Sequence, residues 1–322
     1  MNPTRTTTAE EYLRFARVQA LGSSPTYERL AGAVALSGPV LDLLESLPPG
    51  KRQPNLLLGV ARLLGAPLSD PDAFVAWVLD HADAVTGQMR VRSTQTNEAA
   101  RCATLVPALG GIPGPLALLE VGASAGLCLY PDRYGYDHGG RRWGAPGAAV
   151  TLACGVDGDV PLPTRPPEVV WRAGLDLNPL DVTTDDDLRW LEALVWPEHE
   201  ERRLRLRAAA EVLRAEPPLL VRGDLVEDLP ALAALAPADA TLVVFHSAVL
   251  AYADPQQRRR FAEVVADLPG HWLANEAPAV LEGLVAAPAV AAPRSDSFLL
   301  ALDGRPLAWT GPHGQRLSWL AG

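Results

Sequence analysis

Residues 116–130 read LALLEVGASAGLCLY. An apolar run ends in Glu120, and a turn of small residues follows at once. Where a strand hands over to a helix, backbone N–H groups can face a ligand only if no side chain stands in the way. Gly122 and Gly126 permit that approach, and Ala123, Ser124 and Ala125 stay small. Glu120, placed just before the turn, would repel a pyrophosphate but attract a cation. The stretch therefore points to a nucleoside that carries positive charge. Its spacing is GxxxG, not the GxGxxG of dinucleotide sites. The same letters also satisfy GxSxG, which sets Ser124 in the place of a hydrolase nucleophile.

Outward from this stretch the chain alternates. Near-continuous apolar segments at 115–121, 168–176, 218–224, 240–246 and 271–277 read as strands. Helical periodicity marks 186–196, 200–215, 229–236 and 255–268 between them. This alternation predicts an α/β fold with a parallel sheet covered on both faces. Segments 297–304 and 305–311 form a closing antiparallel hairpin around Asp303-Gly304. In such sheets ligands lie beyond the carboxyl ends of the strands. The residues at those ends are Glu120, Asp176, Asp224, His246 and Glu276. Asp176 is placed to accept ribose hydroxyls, and Asp224, with Leu225 after it, to meet an adenine. Each aspartate has a structural alternative as a helix N-cap.

Before residue 106 the grammar is helical. Apolar residues recur at helical spacing in 10–21, 27–36, 39–47, 54–65 and 71–85, with Pro and Gly between them. The expected organisation is a helical lobe over 1–105 and a sheet domain over 106–322, with a β-rich insertion at 134–163. Seven polar residues run from Arg92 to Glu98. They read either as a solvated loop, in which Thr96 or Asn97 caps the next helix, or as a pocket wall.

The whole chain of 322 residues carries a formal charge of −10, which argues against a nucleic-acid partner. Lys51 is the only lysine among 28 basic residues. Cys102, Cys128 and Cys154 show no metal-ligand spacing and fit a reducing compartment. The polar N-terminal segment and the proline-broken apolar run at 277–293 lead to the expectation of a cytoplasmic protein without a membrane partner.

With Glu120, Gly122 and Gly126, then Asp176, then Gly223-Asp224 and the closing hairpin, residues 115–311 resemble the class I S-adenosylmethionine-dependent methyltransferases. Segments TQTNEAARC (94–102), LEVGASAGL (119–127) and GLDLNPLDV (174–182) resemble a bacterial family, domain of unknown function 2332, over nearly the whole chain. The first resemblance implies a Rossmann-like methyltransferase-type sheet with S-adenosylmethionine as cofactor. The cofactor would be held by Glu120, Gly122, Ala123, Ser124, Gly126, Asp176, Asp224 and Leu225. Two departures stand out. Ser124 replaces a customary glycine, and 50 positions separate Gly126 from Asp176 where about twenty are usual.

In that reading the residues after the fourth strand face the reacting methyl group. His246 is the candidate general base, with a sheet-edge histidine as the structural alternative. Asn97, Arg101, Tyr134, Tyr136 and Ser247 would border a small-molecule acceptor, or simply pack. Two other functions remain open, a methyltransferase-like binder without turnover and a serine hydrolase using Ser124 with a later histidine, His271 or His313.

Overall fold

The computed structural model describes residues 3–95 and 97–320. Contacts divide the chain into two compact units, Met1–Thr96 with Thr184–Leu204, and Asn97–Thr183 with Arg205–Gly322. The sequence pattern places the boundary at 105/106 and assigns the helical stretches 186–196 and 200–215 to the sheet domain.

The first unit is helical. Helices Pro25–Leu36 and Pro71–Asp80 begin with proline at the first turn, where no N–H is needed. Ser24 and Asp70 cap them by accepting backbone N–H groups. Helix Asp185–Leu194 belongs here because of its apolar face. Trp190 is buried, and a Cβ on Gly59 would come within 3.0 Å of Leu194 Cδ2. Glu198 then accepts the Ser24 hydroxyl at 2.5 Å and the Thr26 N–H at 2.9 Å.

The second unit is built on one sheet of eleven strands among the described residues. They are β1 (Leu116–Val121), β2 (Gly135–His138), β3 (Arg141–Gly144), β4 (Thr151–Asp157), β5 (Val169–Asp176), β6 (Leu219–Arg222), β7 (Thr241–Ser247), β8 (His271–Glu276), β9 (Phe298–Leu302), β10 (Arg305–Thr310) and β11 (Arg316–Trp319). Their spatial order is β3-β2-β4-β11-β10-β9-β8-β7-β1-β5-β6. Strands β6, β5, β1, β7 and β8 run parallel, and β9 and β10 form the expected antiparallel hairpin. The β-rich insertion supplies β2 to β4, which joins the main sheet because β11 pairs in parallel with β4. Strand β11 has no counterpart in the sequence reading.

Chain order along the parallel strands is 3-2-1-4-5, so the winding reverses between β1 and β7. Side chains alternate across β1. Ala117, Leu119 and Val121 join an apolar cluster with Leu175, Val244, Phe261 and Trp272. Leu118 and Glu120 therefore face the other side.

One local expectation is corrected. No α-helix follows the glycine turn. Gly126, with φ +80°, leads into a single 3₁₀ turn, Leu127–Leu129. The insertion begins directly after it, and Arg172 of β5 holds its start with two bonds to Asp132, at 2.8 and 2.7 Å. A loop committed to that pair has no length left for a helix.

Close packing at the turn gives a stability test. A Cβ on Gly174 would sit 2.5 Å from Ala123 Cβ and 2.6 Å from Leu220 Cδ2. Gly174→Ala is expected to cost about 1–3 kcal/mol in denaturant unfolding; an unchanged midpoint would contradict this packing.

Candidate functional site

The switch point between β1 and β7 is the place to look for a site. The turn after β1 is tight, with positive φ at Gly122 (71°), Ser124 (52°) and Gly126 (80°). Four of its N–H groups, those of Gly122, Ala123, Ser124 and Gly126, are engaged within the protein. Gly122 and Ala123 donate to the Leu175 carbonyl at 2.8 and 3.3 Å, and Gly126 donates to Ala123 at 2.7 Å. Ser124 donates to Asp176 Oδ2 at 2.8 Å, while Asp176 Oδ1 accepts from Asn178 N at 2.7 Å. Asp176 thus reaches the turn despite the long insertion, but it does so as a brace. A Cβ on Gly122 would lie 2.2 Å from Val249 Cγ2, so Val249 packs against the turn where a ligand was expected.

Glu120 faces this region from the end of β1. It is 6 % exposed, and its Oε2 has no hydrogen-bond partner among the described residues. Burial pushes its carboxyl well above the usual range; neighbouring Cys128 adds to this and Arg101 opposes it. Cys128 in turn is raised by its contact with the Cys102 thiol and by burial. Arg101 is also buried. Its Nε donates to Pro312 O at 3.0 Å and its Nη1 to Ser247 O at 2.9 Å. A buried carboxyl oxygen without a partner is costly. A cation or a hydrogen-bond donor would relieve it.

His246 is wholly buried and both ring nitrogens are bonded. Trp272 Nε1, which can only donate, reaches Nε2 at 3.0 Å. The proton therefore sits on Nδ1, which donates to Glu276 Oε1 at 2.8 Å. The same oxygen accepts Val249 N at 2.8 Å and Leu250 N at 3.0 Å. In this arrangement the imidazole presents no nitrogen to an acceptor. Glu276 had been noted only as a strand end, and Trp272 had not been singled out. An acid closing the fifth strand was the one sequence signal for this pair.

The other predicted residues disperse. Asp224 Oδ1 accepts Val226 N and Glu227 N, the capping alternative, and Leu225 packs against the apolar cluster. Tyr134 and Tyr136 are fully buried and donate to the carbonyls of Leu127 and Pro131; burial raises both phenols. Ser247 Oγ accepts from Asn275 Nδ2 at 3.0 Å. Asn97 keeps an unpartnered Nδ2 among the described residues, and Glu98 rather than Asn97 caps the following turn. Thr96 lies outside the described residues. Beside the turn opens a cleft of about 450 Å³, lined by Ala125, Leu180, Asp181, Val182, Pro218 and Leu220.

For the GxSxG reading, the turn lacks the helix that follows a nucleophile elbow. His271 bonds Asp303 at 2.7 Å at the amino end of β8, level with Val243 and hence Leu118 in mid-strand rather than with the turn.

Residues 9–319 match the family model described as "Uncharacterized protein conserved in bacteria (DUF2332)". The chain belongs to this family. Of the segments on which that membership was expected, 119–127 contains the turn and 174–182 carries its brace, Asp176, in this DUF2332 protein. No curated protein matches the chain. No described helix is long and apolar enough to cross a membrane.

Glu120 has a consequence for stability. Its proton is held in the native state above the unfolded value of about 4.3. Above that pH the unfolded chain binds fewer protons, so this group's stabilisation, complete below about pH 4.3, is lost as pH rises toward the native pKa. Glu120→Gln should therefore gain stability relative to the parent as pH is raised from 5 to 8, by at most about 1.4 kcal/mol per unit. Unfolding midpoints across that range measure it, and a difference that does not change with pH would contradict it.

Proposed function

We propose that the protein is an S-adenosylmethionine-dependent methyltransferase acting on a small molecule, with its cofactor anchored at the β1–β7 switch point. The observation that carries this reading is Glu120, a buried carboxyl with an unsatisfied oxygen at the end of the first parallel strand. Glu120 fits the positive charge of the cofactor. Asp176 fits its ribose hydroxyls in exchange for the N–H of Ser124 or Asn178. The N–H groups of Gly122, Ala123, Ser124 and Gly126 do not fit, being already bonded.

Bound there, S-adenosylmethionine supplies an electrophilic methyl group. The chain's residues bind and orient; with His246 sealed between Glu276 and Trp272, no base is assigned. Positioning of an acceptor that needs no deprotonation accounts for such a transfer. The sealing of His246 also favours a second reading, a protein that binds the same nucleoside without turnover.

Titration calorimetry with S-adenosylmethionine and S-adenosylhomocysteine tests the anchor. Saturable binding is expected, weakened roughly tenfold or more in Glu120→Gln. Burial raises the Glu120 carboxyl, so at a pH where it still holds its proton, buffers of different ionisation heat should report a proton released as it ionises against the ligand's charge. No saturable heat, or equal affinity in the variant, would overturn the reading. Label passing from methyl-labelled donor into small molecules of a cell extract separates turnover from binding alone.

A further inference from the structure

The segment after β7 closes the switch point and is held there by one carboxylate. Ala248 adopts φ +60°, a backbone region that side chains disfavour, and donates its N–H to Asn275 O at 3.1 Å. This places Val249 directly on Gly122, close enough that no Cβ could stand between them. Beyond it Leu250 is fully buried, whereas Tyr252 is 78 % exposed. Two successive N–H groups, of Val249 and Leu250, converge on Glu276 Oε1, which also takes His246 Nδ1–H. Glu276 Oε2 stays buried without a partner among the described residues.

A carboxylate in that position does more than fill space. An apolar residue would leave two adjacent N–H groups and an imidazole N–H without an acceptor. All three bonds act on the segment that carries Val249 or on the histidine at its root. We propose that Glu276 is a positioning residue that latches Val249 onto Gly122, so that the switch-point crevice rests closed and a ligand must displace residues 248–252 to enter. This goes beyond the cofactor reading, and only the ligand arm of its test rests on that reading. Closure lowers apparent affinity and association rate by the fraction of time the crevice stands open.

Native-state hydrogen exchange tests the latch without any ligand. The amides of Val249 and Leu250 should exchange through a local opening, about tenfold or more faster than those of Leu119 and Val244 at the strand centres. In Glu276→Gln they should speed up further while the strand-centre amides hold. Exchange of all four at one rate, through global unfolding alone, would overturn the proposal.

Should Glu276→Gln fail to fold, Val249→Ala leaves the latch in place and removes the plug. Stopped-flow mixing with S-adenosylmethionine should then show faster association, by about tenfold, than in the parent protein. An unchanged association rate in a parent that binds would overturn the proposal. Absence of binding in both proteins would overturn the cofactor reading instead, with hydrogen exchange still deciding the latch.

Discussion

Strand β1 is paired in parallel on both sides, and its register governs what surrounds the glycine turn. Val121 lies level with Leu175 on one side and His246 on the other. The ends of three strands are thereby aligned. Asp176, the turn's brace, is one residue beyond Leu175, and Val249 is three residues beyond His246. Because side chains alternate, the same register turns Glu120 away from the apolar cluster and into a polar pocket with Arg101 and Cys128. A one-residue slip would exchange Glu120 with Val121 and put a carboxyl into the apolar cluster.

Two buried acids then act in different ways. Glu276 uses one oxygen for three donors and orders the segment after β7. Glu120 keeps Oε2 without a partner among the described residues, and burial raises its pKa. Both keep Oε2 buried without a partner among the described residues, so what sets Glu276 apart is the three donors gathered on its other oxygen. The distinction rests on hydrogen bonds, since both side chains are nearly inaccessible to solvent.

The parallel strands were legible in the sequence because each is a short apolar run between breaks. PLALLEV, EVVWRAGLD, ATLVVFH and HWLANEA became β1, β5, β7 and β8 within a residue at each end. Strand β11 was hidden because RLSW carries two polar residues and, beyond its neighbour β10, pairs with β4 from far along the chain. The missing helix after the turn followed from a long-range pair, Arg172 with Asp132, which no local pattern announces. Side-chain roles were the least legible. Asp176 and His246 sit at strand ends as the pattern required, with Asp224 two residues beyond the end of β6, yet backbone N–H groups and an indole already satisfy them. Satisfaction of a polar group depends on partners distant in the chain, as Trp272 is from His246.

The central claim is that a cationic nucleoside lodges against Glu120 at the reversal of the winding. A crystal structure grown with S-adenosylhomocysteine bears on it most directly. The account predicts ligand density against the freed Glu120 oxygen, with Val249 lifted from Gly122. Clear density elsewhere, with Glu120 still unpartnered and Val249 still seated, would contradict it.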